Sequence, residues 1–255
     1  MMVMRKSFGK KRNFWNKEYK KGAHLAISST PSEDLQKFLR WFSREHKNQL
    51  LSSRSSVLDL GCGNGRNLVH LAKEFGVKGS GIDTSREAIA QAKKMSAGLS
   101  LSYVVQSIGL PLPVPDQSHD LVLDMMTSHF LNKKERANLY KEIARTLKPN
   151  GWFFLKTFLL DEDRHAARLL REHPAEEPGS YVHPEFGGVE HVFTEEEICE
   201  DLAPNFLVEK ITKSHRHRGP AAKRRSMSIY ARKNERFPLC LPIPWNNSME
   251  LFHGR

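Results

Sequence analysis

The run Val57-Leu58-Asp59-Leu60-Gly61-Cys62-Gly63-Asn64-Gly65 constrains this chain more than any other stretch. A short apolar run reads as a buried strand. The three alternating glycines after it permit a tight turn in which backbone meets a ligand with no Cβ in the way. Open α/β sheets bind ligands at the carboxyl ends of their strands, which is where this turn falls. Asp83 stands 20 residues beyond Gly63, at the end of the next apolar run. A carboxylate there accepts from both hydroxyls of a ribose. The dinucleotide fingerprint requires a glycine or alanine at the position of Arg66, so a dinucleotide is disfavoured.

The periodicity around the turn alternates as a βα series does. Thr30-Pro31-Ser32-Glu33 reads as a capping box with Thr30 as the cap, and Leu35, Phe38, Leu39 and Phe42 follow on one helix face. Strands are expected at 57–60, 78–82, 101–105, 120–124 and 152–158, with helices at 67–75, 84–94 and from Asn132 to Leu147. A helix over 161–171, a long loop over 173–193, a helix capped by Thr194, and strands near 206–215 and 226–231 complete the pattern. The fold class this predicts is α/β, a doubly wound, mostly parallel seven-stranded sheet with an antiparallel C-terminal hairpin. The domain spans residues 30–236, between a basic arm at 1–29 and a tail at 237–255.

Charge is unevenly distributed. Of the formal net charge of +11, residues 1–22 carry +7 and residues 213–236 carry +8, which leaves −4 on the remainder. These two basic stretches fit RNA or a ribonucleoprotein as partner. A solvated hairpin is the plainer reading of the second. Three cysteines, Cys62, Cys199 and Cys240, are too few and scattered for a disulfide framework or a zinc cluster. That usage fits a cytoplasmic location, with organelle targeting by the basic N-terminus as the alternative. No run approaches 18 apolar residues, so no membrane partner is expected. The sequence says nothing of oligomeric state.

The glycine run and Asp83 resemble the class I S-adenosylmethionine-dependent methyltransferases. The stretches Leu112-Pro113-Val114-Pro115-Asp116-Gln117-Ser118-His119-Asp120-Leu121-Val122 and Leu147-Lys148-Pro149-Asn150-Gly151 are similar to two further motifs of that family, in the family's order. Tyr181–Phe193 and the segment 213–225 resemble, more distantly, the small tellurite-resistance methyltransferases. The resemblance implies S-adenosylmethionine as cofactor. It implies that Gly61, Cys62, Gly63 and Gly65 admit its methionine and ribose, that Asp59 holds the amino group, and that Asp83 binds the ribose hydroxyls. Ile82 and Thr84 would then lie against the adenine. The family often has an adenine-binding Asp after the third strand; here Ile108 takes that place, leaving Ser107 or backbone for the contact.

The reacting face implied is beyond the fourth and fifth strands. Asp124 is a candidate for cofactor binding and catalysis, and His129 and His183 are candidate bases. Asp124-Met125-Met126-Thr127 lacks the prolines and aromatic residue of enzymes that methylate amino groups of bases or glutamine amides. Tyr181, His191, Arg216 and Arg218 are candidate substrate contacts, with 173–193 as a lid. His183, Glu185, Glu190 and His191 are metal-ligating types, but nothing in their spacing enforces coordination geometry, and no metal is expected. Three functions follow: a methyltransferase acting on RNA or ribonucleoprotein, one acting on a small molecule, or a basic RNA-binding protein with a vestigial pocket. A nicotinamide-dependent oxidoreductase fails on the glycine spacing.

Overall fold

The computed structural model describes residues 13–21, 28–185, 187–214 and 224–234. Its central sheet runs in the order β3-β2-β1-β4-β5-β9-β8. The first five strands are β1 (Ser56–Leu60), β2 (Lys78–Asp83), β3 (Leu101–Val105), β4 (His119–Met125) and β5 (Leu147–Phe158). These pair in parallel, whereas β9 (Ser226–Lys233) runs antiparallel to both β5 and β8 (Phe206–Lys213). The expected fold class is therefore the observed one. The order reverses at β1 and β4, and a crevice for ligands opens at such a switch point.

Alternate residues of each strand feed opposite faces, which builds two cores. On one face Leu121, Leu123, Trp152 and Phe154 pack with Leu35, Phe38, Trp41 and Phe42 of α2 (Glu33–His46), with Leu68 and Leu71 of α3 (Arg66–Phe75), and with Ile89 and Ala92 of α4 (Arg86–Met95). On the other, Leu58, Val122, Phe153 and Leu155 meet Leu139, Tyr140 and Ile143 of α5 (Lys133–Thr146) and Ile198 and Leu202 of α7 (Glu195–Leu202). Helices on both faces explain why these strands are apolar throughout rather than alternating.

Local departures from the expected boundaries have simple causes. Because α2 starts at Glu33, Ser32 and not Thr30 is its N-cap, with no side-chain cap bond, and the Thr30 hydroxyl pairs with Ser28 Oγ at 2.8 Å. Ser85 rather than Thr84 caps α4, accepting from Ala88 N at 3.2 Å. Asn132 and Glu135 form a reciprocal capping box on α5, and Thr194 caps α7. The helix expected over 161–171 starts later, as α6 (Arg164–Glu172), since Asp163 caps it by accepting from Ala166 N. The stretch expected as a long loop contains a hairpin of β6 (Ser180–Val182) and β7 (Val189–His191). Within the N-terminal stretch read as an arm, residues 13–21 form a helix, α1. No helix among the described residues is long and apolar enough to cross a membrane.

Candidate functional site

Three buried carboxylates converge at the carboxyl ends of adjacent parallel strands. Asp59 is on β1, Asp83 ends β2, and Asp124 is near the end of β4. The parallel register sets Leu60 against Ile82 on one side and Asp124 on the other, so the three acids share one end of the sheet. Gly61, Gly63 and Gly65 all have positive φ, at 69°, 56° and 77°, a region costly for any residue with a Cβ. Gly61 N and Cys62 N both donate to Ile82 O, which ties the turn to β2. Gly65 then caps α3 and aims its N-terminus, the positive end of its dipole, at the same crevice.

Asp83 is committed to the turn. Its Oδ2 accepts from Gly63 N at 2.9 Å and its Oδ1 from Ser85 N at 2.8 Å. Burial raises its pKa, and the backbone donors of Ser85, Gly63 and Thr84 oppose that rise. Asp59 has no comparable support. Burial, followed by the charges of Asp83 and Asp124, pushes its pKa up to about 8, and its Oδ2 has no hydrogen-bond partner among the described residues. Asp124 accepts from Thr127 N at 3.2 Å and Ser128 N at 3.1 Å through Oδ1. Its Oδ2 likewise lacks a partner among the described residues, and burial raises its pKa to about 6. Buried acids so placed favour a cationic ligand, which would restore their ionised forms.

The other expected cofactor residues occupy varied places. Ile82 is fully buried in the core, and Cys62 is buried with its thiol pKa raised chiefly by burial. Thr84 is half-buried beside Asp83 and gives it a backbone N–H. The Ser107 hydroxyl accepts from Gly109 N at 3.2 Å, and Ile108 is buried in the core. Gln106 N donates to Asp83 O, while its side-chain amide closes on Pro111 O.

One residue at the site was missed from the sequence. Tyr19, on α1, places its hydroxyl where a Cβ on Gly63 would lie. Burial and the Asp83 charge raise its pKa, so the phenol stays protonated and remains a donor. α1 is held there by Asn16, whose Oδ1 accepts from Ser85 Oγ and Arg86 N, both at 2.9 Å, and by Gln91 Nε2 donating to Tyr19 O at 2.6 Å. The spacing of Trp15, Glu18 and Tyr19 at i, i+3 and i+4 was the available signal.

On the far side of the crevice, His129 is buried between Phe130, at 4.1 Å between ring centres, and Phe158, at 5.0 Å. His183 is half-buried. Its pKa is lowered, first by burial and then, against the pull of Glu190 and Glu185, by Arg224 and His165. Tyr181 is fully buried and donates to Glu190. His191 faces away from solvent: Ser180 Oγ is 2.8 Å from its Nδ1 and Glu197 Oε1 is 2.9 Å from its Nε2. These partners bind the hairpin to α7 rather than offering His191 to a ligand. Arg216 and Arg218 lie outside the described residues.

Residues 57–151 match the methyltransferase domain family. A solved structure from Methanosarcina mazei, described as an S-adenosylmethionine-dependent methyltransferase, is 26% identical with a TM-score of 0.62, over 74% of this chain and 96% of that one. This region is similar to the class I S-adenosylmethionine-dependent methyltransferases. Its curated relatives include the fatty-acid O-methyltransferase of Mycolicibacterium smegmatis, 27% identical over 55% of this chain and 50% of that protein. The 2-methyl-6-phytyl-1,4-hydroquinone methyltransferase of Synechocystis is 26% identical over 61% and 47%. The chain thus spans about half the length of the curated relatives it matches. The donor set of this methyltransferase domain fits its cofactor, because the unpartnered oxygens of Asp59 and Asp124 suit the ammonium and sulfonium charges of S-adenosylmethionine.

Proposed function

We propose that the chain transfers the methyl group of S-adenosylmethionine to a small organic acceptor. The observation that supports this best is the pair of buried, unpartnered carboxylates, Asp59 and Asp124, beside a glycine turn held in left-handed backbone. When bound, the cofactor supplies an electrophilic methyl on a sulfonium, so the protein's part is alignment and exclusion of water. Asp59 holds the ammonium, Asp83 the ribose, and α1 covers both through Tyr19. Asp124 lies close to Thr127, which closes over Gly61, so its charge faces the reacting side. His183, kept neutral by its depressed pKa, accepts the proton of an acceptor hydroxyl.

A small acceptor suits the half-buried aromatic side chains around the crevice, Trp15, Phe130 and Phe158. The named relatives act on a fatty acid and a hydroquinone, which agrees with it. A nucleic-acid or ribonucleoprotein acceptor is favoured by one other feature, the +8 carried by residues 213–236. Much of that segment, like residues 1–12, lies outside the described residues. Location in the cytoplasm fits the cysteine usage.

The test is transfer of labelled methyl from the cofactor into fractionated cell extract. Label in low-molecular-weight material supports the reading, label in RNA selects the second acceptor class, and cofactor binding without transfer overturns the enzyme. Calorimetry with S-adenosylhomocysteine tests the pocket separately.

A further inference from the structure

An unbroken series of rings follows the carboxyl edge of the sheet away from the cofactor turn. Phe14 packs on Trp15 at 5.2 Å between ring centres, and Trp15 on Phe130 at 5.6 Å. Through His129 the series reaches Phe158, and the guanidinium of Arg224 then lies 3.8 Å from the Phe158 ring centre. These groups come from α1, the turn at Ser128–Phe130, the end of β5 and the approach to β9. Trp15 and Phe158 are only half-buried, so Trp15, and Phe158 on the part that Arg224 does not cover, keep ring surface for a flat partner.

Arg224 decides the charge of that partner. Its Nη1 donates to Tyr181 Oη at 2.5 Å and lies 3.4 Å from Glu190 Oε2, and its Nε is 3.5 Å from Asp163 Oδ2. The adjacent Arg225 is matched by Glu162 at 2.8 Å. Two carboxylates therefore already offset the Arg224 charge, and an anion entering here would meet both. A cation would meet a guanidinium that already occupies the face of Phe158. What remains unmet is hydrogen bonding: Arg224 Nε and Nη2 are both buried with no hydrogen-bond acceptor among the described residues, and of the two only Nε has a carboxylate nearby, Asp163 at 3.5 Å.

The geometry points to an uncharged, planar, conjugated acceptor whose ring lies along Trp15 and Phe158 and whose carbonyl or ether oxygen accepts from Arg224 Nη2. This rests on the methyltransferase reading and names its substrate class.

Three ring compounds of similar size test it on protein saturated with S-adenosylhomocysteine: neutral 4-hydroxyacetophenone, anionic 4-hydroxybenzoate and cationic tyramine, compared by ligand-observed NMR titration. The ketone should bind at least about tenfold tighter than either ion, and Arg224→Met should remove that preference. Because Arg224 sits among buried groups, Trp15→Ala on the half-buried α1 serves as a second variant. It should weaken ketone binding roughly fivefold with no change in melting temperature. Equal or tighter binding of either ion overturns the proposal, as does ketone binding that neither variant alters. Failure of the unaltered protein to bind S-adenosylhomocysteine would instead overturn the methyltransferase reading beneath it.

Discussion

The Tyr19 hydroxyl lies over the α-carbon of Gly63, so that a Cβ added to the glycine would overlap it. A residue of the N-terminal helix and the centre of the glycine turn are thus matched in shape. Gly63→Ala should destabilise the fold through the strain of a positive φ, about 1–2 kcal/mol, and through the overlap. In a Tyr19→Ala background only the strain remains. A double-mutant cycle by urea unfolding should therefore give a coupling of at least roughly 0.5 kcal/mol. Strict additivity would show that α1 does not close on the turn in solution.

Asp83 binds the turn before it binds any cofactor. Asp83→Ala removes the acceptor of Gly63 N and Ser85 N and leaves buried donors unmet, at about 1–3 kcal/mol each. Both thermal stability and S-adenosylhomocysteine affinity should fall, the latter by at least roughly a hundredfold. Asp83→Asn keeps one carbonyl acceptor but sets its NH2 against the second backbone N–H, so it should recover only part of the stability while binding poorly. A stable Asp83→Ala variant with unaltered affinity would remove Asp83 from the site.

Cofactor binding should release protons. Asp59 titrates near 8 when folded, against the ordinary carboxylate value of 3.8, because burial disfavours its charge. Its raised pKa means that stability present below about pH 4 is lost as pH rises toward 8, and the same holds for Asp124 up to about 6. A cation bound alongside reverses this by favouring the ionised acid. At pH 7, calorimetry of S-adenosylmethionine binding in buffers of different ionisation enthalpy should show release approaching about one proton. Asp59→Asn should abolish most of it. Net proton uptake would contradict the assignment.

The hairpin of β6 and β7 should depend on a buried cation remote from the chemistry. Arg136 is fully buried, donates to Leu131 O at 2.7 Å and pairs with Glu177 at 2.5 Å. Arg136→Met removes the guanidinium from Glu177 and leaves it the Lys133 N–H at 2.9 Å and His191 Nδ1 at 3.4 Å. The cost should be about 3 kcal/mol by urea unfolding, near the low end for a buried pair because Glu177 is 21% exposed. Adding Glu177→Gln should restore more than half of the loss. A loss unchanged by that second substitution would place the effect in packing alone.

Legibility followed distance along the chain. The glycine turn, Asp83 and the caps at Asn132 and Thr194 depend on neighbours within a few residues or on one strand-to-strand step, and periodicity exposed them. Asp124 was legible as a candidate, but the missing partner of its Oδ2 was not, since that is a property of packing. His191 looked like a ligand-facing histidine because its sequence neighbours are polar. Its actual partners, Ser180 and Glu197, are brought in by the hairpin and by α7.

By itself, the sequence determined the parallel α/β sheet, the position of the cofactor turn and the acid that braces it. Each follows from local backbone preference and from which residues avoid water. Only the tertiary structure decided that α1 closes over Gly63, that Asp59 and Asp124 share one desolvated end of the sheet, and that Arg224 faces Phe158 with its charge already balanced. Those relationships join residues far apart in the chain. Their energies come from burial and mutual proximity, which no local pattern records.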